Sequence, residues 1–387
     1  MSIGKKVLVC GAGWAGMHAA QLLQEAGYIV KVLEKAEKPG GRIKSDVLNG
    51  FIIDHGFQVI NPSYAELKES RALAGIDFYK LPKAVDIRID TRTIRIGDPR
   101  QNLSYLKGVL TGLTGTMREK VEFLRYLRRP TEDIDFGSAL FETGEFFERV
   151  LAPFLTGVFL ANPRDVSNRM ARELIHWFIK GSPGVPSAGV QQVSEALAAG
   201  LDIEYGVNVT KINDKYVESD TGIFQADYVV AALDPISTAI LLDQEIPKMN
   251  QSTTWYFRIP EGEISSEHLR IGGVGPVINS LVLSNIAHTY APAGASLLLA
   301  TTLGDGNESD VRSHLSYLWE CETKDWELLT CIEIPNSLPQ HPVGKELVAE
   351  QIIQNGIYLA GDWLATPSQQ GALVSGRRVA NAIIAAQ

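Results

Sequence analysis

Residues 6–16, KVLVCGAGWAG, constrain this chain more than any other stretch. The apolar, β-branched run 6–10 has the length of a buried parallel strand. Gly11, Gly13 and Gly16 follow it in G-x-G-x-x-G spacing. The first permits a tight turn, the second lets backbone approach a pyrophosphate, and the third lets helix and strand pack closely. A helix is expected over 14–26, with Met17, Ala20 and the Leu22, Leu23 pair facing inward and Gly27 ending it. Its N-terminal amides and dipole suit a pyrophosphate. Residues 29–33 read as a second buried strand, 204–212 as a further strand and 64–74 as a helix. Glu34 closes that strand, 23 residues after Gly11, where a carboxylate accepts hydrogen bonds from a ribose diol. Strand, glycines, helix, strand and acid, in that order within one unit, specify a dinucleotide site. An acid at the ribose position disfavours a 2′-phosphate, and with it NADP.

A second informative stretch lies more than three hundred residues away. Residues 357–360 form a short apolar strand, Gly361 a turn, and Asp362 a carboxylate at the strand's C-terminal edge, where open α/β sheets bind ligands. A last helix is expected from near Gln370, with Ala372, Val374, Val379, Ala382 and Ile383 on its buried side.

Length and composition narrow the classes. A chain of 387 residues suits two domains rather than one core. A formal net charge of −9 argues against nucleic acid as partner. Cys10, Cys321 and Cys331 are odd in number and lack metal spacing, so neither a disulfide framework nor a metal site is expected, and a cytoplasmic setting fits. Residues 1–6 lead straight into the first strand, leaving no room for a removable presequence. No apolar run approaches the roughly 20 residues that span a bilayer. Residues 103–129 are apolar and basic together. Two readings stay open for them: a surface that dips into a membrane beside a substrate entrance, and a helix pair packed on the domain with solvated charges.

Several motifs carry a family resemblance. Gly40-Gly41-Arg42 stands eight residues or fewer past Glu34; Asp54-His55-Gly56 forms an acid-x-Gly element; Pro153 to Phe159 reads P-F-x-x-G-V-F; residues 333–342 (EIPNSLPQHP) precede the Gly361-Asp362 strand end. Together they resemble the FAD-dependent amine oxidase, protoporphyrinogen oxidase and phytoene desaturase superfamily, and phytoene desaturase-like members most of all. The resemblance implies an α/β fold: a Rossmann-type FAD-binding domain with an inserted α+β substrate domain, the amine oxidase-like two-domain arrangement. The FAD-binding domain is expected from 1–60, 185–250 and 345–387, and the substrate-binding cap from 61–184 and 251–344.

By the same resemblance FAD, bound non-covalently, is held by Gly11, Gly13, Trp14, Ala15, Gly16, Glu34, Lys35, Gly41, Arg42, Val209, Gly361, Asp362, Gln370, Gly371 and Ala372. Arg42 meets the pyrophosphate, the Val209 backbone the adenine, and the last helix the flavin N1–C2=O edge. Trp363, Gln369 and Gln370 are the flavin-facing candidates for catalysis. His55 reads as a turn residue, and Lys324 and Lys345 as surface lysines. The implied activity is a FAD-dependent oxidoreductase taking hydride from a C–C or C–N bond of an apolar small molecule onto flavin N5. The alternatives are an amine oxidase producing hydrogen peroxide and a non-redox flavin-dependent isomerase. A cytoplasmic protein, with peripheral membrane contact left open, is the expected setting.

Overall fold

The computed structural model describes residues 4–304 and 306–386; Met1, Ser2 and Ile3, at the head of the expected lead-in, lie outside that range. Its first layer grows from strand β1 (Lys6–Cys10), helix α1 (Trp14–Glu25) and strand β2 (Ile29–Glu34). β1 pairs in parallel with β2 on one side and with Tyr228–Ala231 on the other. Asp202–Tyr205 adds outside β2, and Ile357–Leu359 outside Tyr228–Ala231, both parallel; antiparallel Ile353–Gln354 makes the far edge of this six-stranded sheet. Alternate residues of β1 enter different cores. Val7 and Val9 pack with α1 and the last helix, while Leu8 and Cys10 pack with Val209, Val217 and Leu359. A parallel strand covered on both faces must be apolar throughout, which is why this run shows no alternation.

The two chain ends meet on one face. The last helix, Gln369–Ala385, crosses α1 at Gly376, where an added Cβ would stand 2.3 Å from the Ala15 carbonyl oxygen. Only glycine allows that approach. Tyr28 donates to the Ile383 carbonyl, and Glu66 sits between His18 of α1 and Arg377 of the last helix.

The second layer is a seven-stranded sheet in the order Glu327–Pro339, Met249–Pro260, Ala295–Thr302, Val277–Val282, Leu269–Gly272, Ala84–Ile89, Arg92–Gly97. It is antiparallel except where Leu269–Gly272 runs parallel to Ala84–Ile89. One face packs Trp255, Phe257 and Leu298 under the helix Glu308–Trp319. The other presents Tyr256, Leu281 and Leu299 to Phe51 and Ile53 of the hairpin β3 (Ser45–Leu48) and β4 (Phe51–Asp54), and so faces the nucleotide layer. Helices between residues 106 and 180 cover the end of the sheet around Ile87 and Ile271. The α/β class with a Rossmann-type sheet and a second, largely antiparallel layer is the one expected.

Several boundaries differ from expectation for local reasons. The single strand expected over 204–212 is two, Asp202–Tyr205 and Val209–Ile212, in different sheets; Gly206 at φ +74° turns the chain between them. The helix expected over 64–74 ends at Ser70, because Arg71 takes a left-handed φ of +57°. Ile29 opens β2 exposed rather than buried. On the last helix the fully buried stripe is Leu373, Ser375, Gly376, Val379, Ala380 and Ile383, so Ala372, Val374 and Ala382 are only half-buried.

Candidate functional site

The C-terminal edges of β1, β2, Tyr228–Ala231 and Ile357–Leu359 define one rim of the first sheet. Gly11 turns the chain there with φ +107°, and its added Cβ would lie 2.5 Å from the Ala232 carbonyl oxygen. Gly16 abuts Gly11, whose carbonyl oxygen would be 2.1 Å from a Cβ. Gly13 is different: nothing stands within 4 Å of where its Cβ would be. It is also the N-cap of α1 and supplies no side-chain cap, and the helix's first turn carries no acid. A helix start left with unsatisfied amides and open space before it is a ready anion cradle. Trp14 and Ala15 are buried in that first turn, and the Trp14 indole donates to Ser194 Oγ at 2.9 Å.

Glu34 is buried, and its carboxylate accepts from two backbone amides, Ala12 N at 2.7 Å and Ala36 N at 2.9 Å. It therefore holds the glycine turn, a duty that spacing alone does not reveal. Lys35 beside it is exposed and stands 3.9 Å from Asp234. Val209 is buried under the rim.

Gly40 donates to the Ala12 carbonyl, which lays the 40–42 loop along the glycine turn, and Gly41 takes φ +61°. Arg42 then spans to the far end of the chain. Its Nη2 donates to Asp362 Oδ1 at 2.6 Å and its Nη1 to the Ser337 carbonyl at 2.8 Å. Asp362 is 5% exposed. Gly361 donates to Ser375 Oγ, tying the strand end to the last helix. Trp363 leans back over Gly361 and packs among the apolar residues of the sheet face. The last helix is capped by Ser368, whose Oγ accepts from Gly371 N, and Ala372 N bonds the Ser368 carbonyl. Gln369 and Gln370 open the helix. Among the described residues their side-chain carbonyl oxygens and the Trp363 indole N–H are buried without a hydrogen-bond partner. Buried polar atoms of this kind are normally satisfied, so each of these three is open to a further polar partner. Open space at Gly13, an uncapped helix start and these orphans are features that fit a dinucleotide flavin.

Other buried contacts were not legible from the sequence. Asp54 is fully buried, accepting from Ser45 Oγ at 2.5 Å, Val190 N at 3.1 Å and Tyr290 Oη at 3.0 Å. Burial pushes its carboxyl up to about 6, against the three hydrogen bonds. Gln191 and Ser194 grip the 39–43 loop through the carbonyls of Pro39 and Ile43. Thr366, just before the last helix, donates to half-buried Glu173 at 2.5 Å. Lys324 is exposed as expected, but Lys345 is half-buried; burial lowers its ammonium pKa, opposed by the nearby Asp362 charge. His55 bonds Asp46 at 2.6 Å in its turn.

The model of the family described as flavin containing amine oxidoreductase matches residues 14–258. The chain belongs to that family. FAD is the cofactor this membership assigns to it. Polyamine oxidase 2 of Arabidopsis thaliana is 26% identical over 283 residues, covering 63% of this chain and 54% of that protein. The 4,4′-diapophytoene desaturase (4,4′-diapolycopene-forming) of a Methylomonas species is 29% identical over 108 residues, 27% of this chain and 21% of that protein. This chain thus aligns with about half the length of the first of these relatives, and less of the second. The crystal structure of an oxidoreductase from Methanosarcina mazei superposes with a TM-score of 0.77 at 18% identity, covering 97% of this chain and all of that one, which establishes the shared fold.

Proposed function

We propose that this chain is a FAD-dependent oxidoreductase that takes hydride from a C–C or C–N bond of an apolar small molecule. The observation that carries the reading is the Arg42–Asp362 pair, which joins the loop after the first βαβ unit to the strand end beside the last helix. Around it, the open N-terminus of α1 would take the pyrophosphate, Glu34 and Lys35 the ribose edge, and Val209 the adenine. Flavin N5, when bound, supplies the hydride acceptor. The chain's own work is to orient and to exclude water, which is most of what hydride transfer asks of a protein. The first-turn amides of Gln369 and Gln370 have no intrahelical acceptor, and the helix dipole there favours negative charge on a ring edge. In this reading Gln369, Gln370 and Trp363, whose polar atoms lack partners among the described residues, would fix ring or substrate.

The same reading divides the chain into a FAD-binding part (1–60, 185–250, 345–387) and a cap (61–184, 251–344). It is supported by the six strands of the parallel-type sheet, all of which fall in the first set. Anaerobic bleaching of the flavin by a panel of amines and polyenes tests the reaction. Protein that shows no flavin absorbance and takes up no FAD on titration rules the proposal out.

One observation favours a second reading, an amine oxidase proper. Glu173 is tethered to Thr366 beside the last helix, and among the described residues no cation pairs with it. A half-buried carboxylate without a counter-ion suits a cationic substrate. Hydrogen peroxide release with amines but not polyenes, and a raised KM with little change in kcat in Glu173→Gln, are what that reading expects.

A further inference from the structure

The segment from residue 103 to residue 129 leaves a row of large apolar side chains on the outside, among exposed basic ones. In the short 3₁₀ turn and helix that span Leu103–Tyr105 and Leu106–Leu110, the exposed positions include Leu103, Leu106 and Leu110, at helical spacing. The next helix, Met117–Tyr126, exposes Met117, Val121 and Leu124. At about 100° per residue these three fall within an arc of about 60°. Two charged positions of that helix are turned in, Lys120 at 6% and Glu122 at 9% exposed, whereas Leu124 is 55% exposed and Arg118 and Arg125 stay outside beside it. A helix lying on a globular body in water presents polar residues outward; this one sets an apolar arc among its outward basic residues.

The two helices meet. Lys120 donates to the carbonyls of Val109 and Thr111, each at 2.8 Å, so the first helix ends against position 120 of the second. Leu124 and Met117 flank Lys120 within about 60° around the helix. Phe141, 85% exposed, stands at the rim of a cleft of 260 Å³ that it shares with Tyr126 and Arg129 at the far end of the same helix. Apolar side chains gathered this way mark an interaction surface.

Charge selects the partner. Residues 100–129 hold seven Arg and Lys against two Glu, in a chain whose net charge is −9. Arg118 and Arg125 lie beside the apolar arc, and among the described residues no carboxylate pairs with Lys107, Arg118 or Arg128. In a two-fold dimer the same patch meets itself, which would press basic groups together. An anionic lipid surface answers both features: leucines enter the acyl boundary while basic side chains reach up to headgroups.

We propose that helices 103–110 and 117–126, with Phe141, dock the protein on anionic membranes. The docked face then offers an apolar substrate a route from the lipid, whichever bond is oxidised. The test is sedimentation of holoprotein with phosphatidylcholine vesicles containing roughly 30% phosphatidylserine, against phosphatidylcholine alone. Binding should be at least about tenfold stronger with the anionic lipid and fall with salt, since each basic group near such a surface contributes about fivefold. Leu106→Ser with Leu124→Ser should lose about tenfold or more. Arg118→Glu with Arg128→Glu should do likewise. Flavin content and thermal unfolding should hold in both. No binding by the wild-type chain, or binding untouched in both variants, overturns the proposal. So does a wild-type dimer that the Leu variants dissociate while vesicles are ignored. Protein that binds vesicles but holds no flavin defeats the functional reading alone; protein that holds flavin but ignores vesicles defeats this one alone.

Discussion

Gly13 and Gly16 stand in one motif yet should fail differently, and the contrast tests whether the rim of the first sheet is a cofactor cradle. A Cβ added at Gly13 meets no protein atom within 4 Å. Its backbone, at φ −74° and ψ 170°, is one that alanine adopts freely. Gly13→Ala loses a few tenths of a kcal/mol to about 1 kcal/mol as a poorer N-cap. It regains about 0.4–1 kcal/mol by restricting the unfolded chain. Stability without cofactor should therefore be unchanged within about 0.5 kcal/mol. The new methyl nevertheless fills the space before the uncapped start of α1. If a pyrophosphate sits there, two charge-assisted amide bonds, about 1.5–3 kcal/mol each, are lost or lengthened. FAD affinity should then fall by about 10²- to 10⁴-fold. At Gly16 the methyl would stand 2.1 Å from the Gly11 oxygen and 3.2 Å from Val9 Cγ1, so Gly16→Ala should cost about 1–3 kcal/mol of stability even without FAD. Denaturant unfolding of the flavin-free proteins, followed by FAD titration monitored by flavin fluorescence, separates the two. A Gly13→Ala protein that binds FAD within about threefold of wild type would refute the cradle.

Three further outcomes follow from buried groups. Asp54 has a carboxyl raised by burial from 3.8 to about 6. The group's stabilising share is thus complete below its unfolded value and lost as pH rises through about 6, on the order of 3 kcal/mol in all. Unfolding free energy measured from pH 4 to 8 should fall across that window in wild type and flatten in Asp54→Asn; an unchanged slope would exclude the assignment. Arg42→Met leaves Asp362 buried without its cation and should cost about 2 kcal/mol, allowing for the partly open guanidinium. Arg42→Met with Asp362→Leu should recover part of that stability by thermal unfolding while still binding FAD poorly. Cys10 is fully buried, and desolvation pushes its thiol up to about 12. Native protein should react with a thiol reagent at Cys321 and Cys331 long before Cys10, which should become available only on unfolding.

Local chemistry was legible where it is local. The βαβ unit, the glycine turn and the strand leading to Asp362 declare themselves by spacing, since each depends on neighbours within a few residues. Boundaries were misplaced where one backbone torsion decides, as at Gly206 and Arg71. The buried face of the last helix was partly mis-phased because it packs against α1 at Gly376, a contact no periodicity encodes. Glu34's two amide bonds, the Asp54 network and the Glu173–Thr366 link all join residues whose separation carries no pattern.

The sequence by itself determined the first βαβ unit and the glycine turn of a dinucleotide-binding pattern, because a tight turn, a helix start and a terminal acid are consequences of short-range sterics and hydrogen bonding. Tertiary structure alone decided that Arg42 meets Asp362 across 320 residues. It also decided which face of helix Met117–Tyr126 looks outward. An amphipathic pattern says that two faces differ; which of them meets solvent depends on what the rest of the chain packs against it, and here Lys120 and Glu122 were turned in and Met117, Val121 and Leu124 left out.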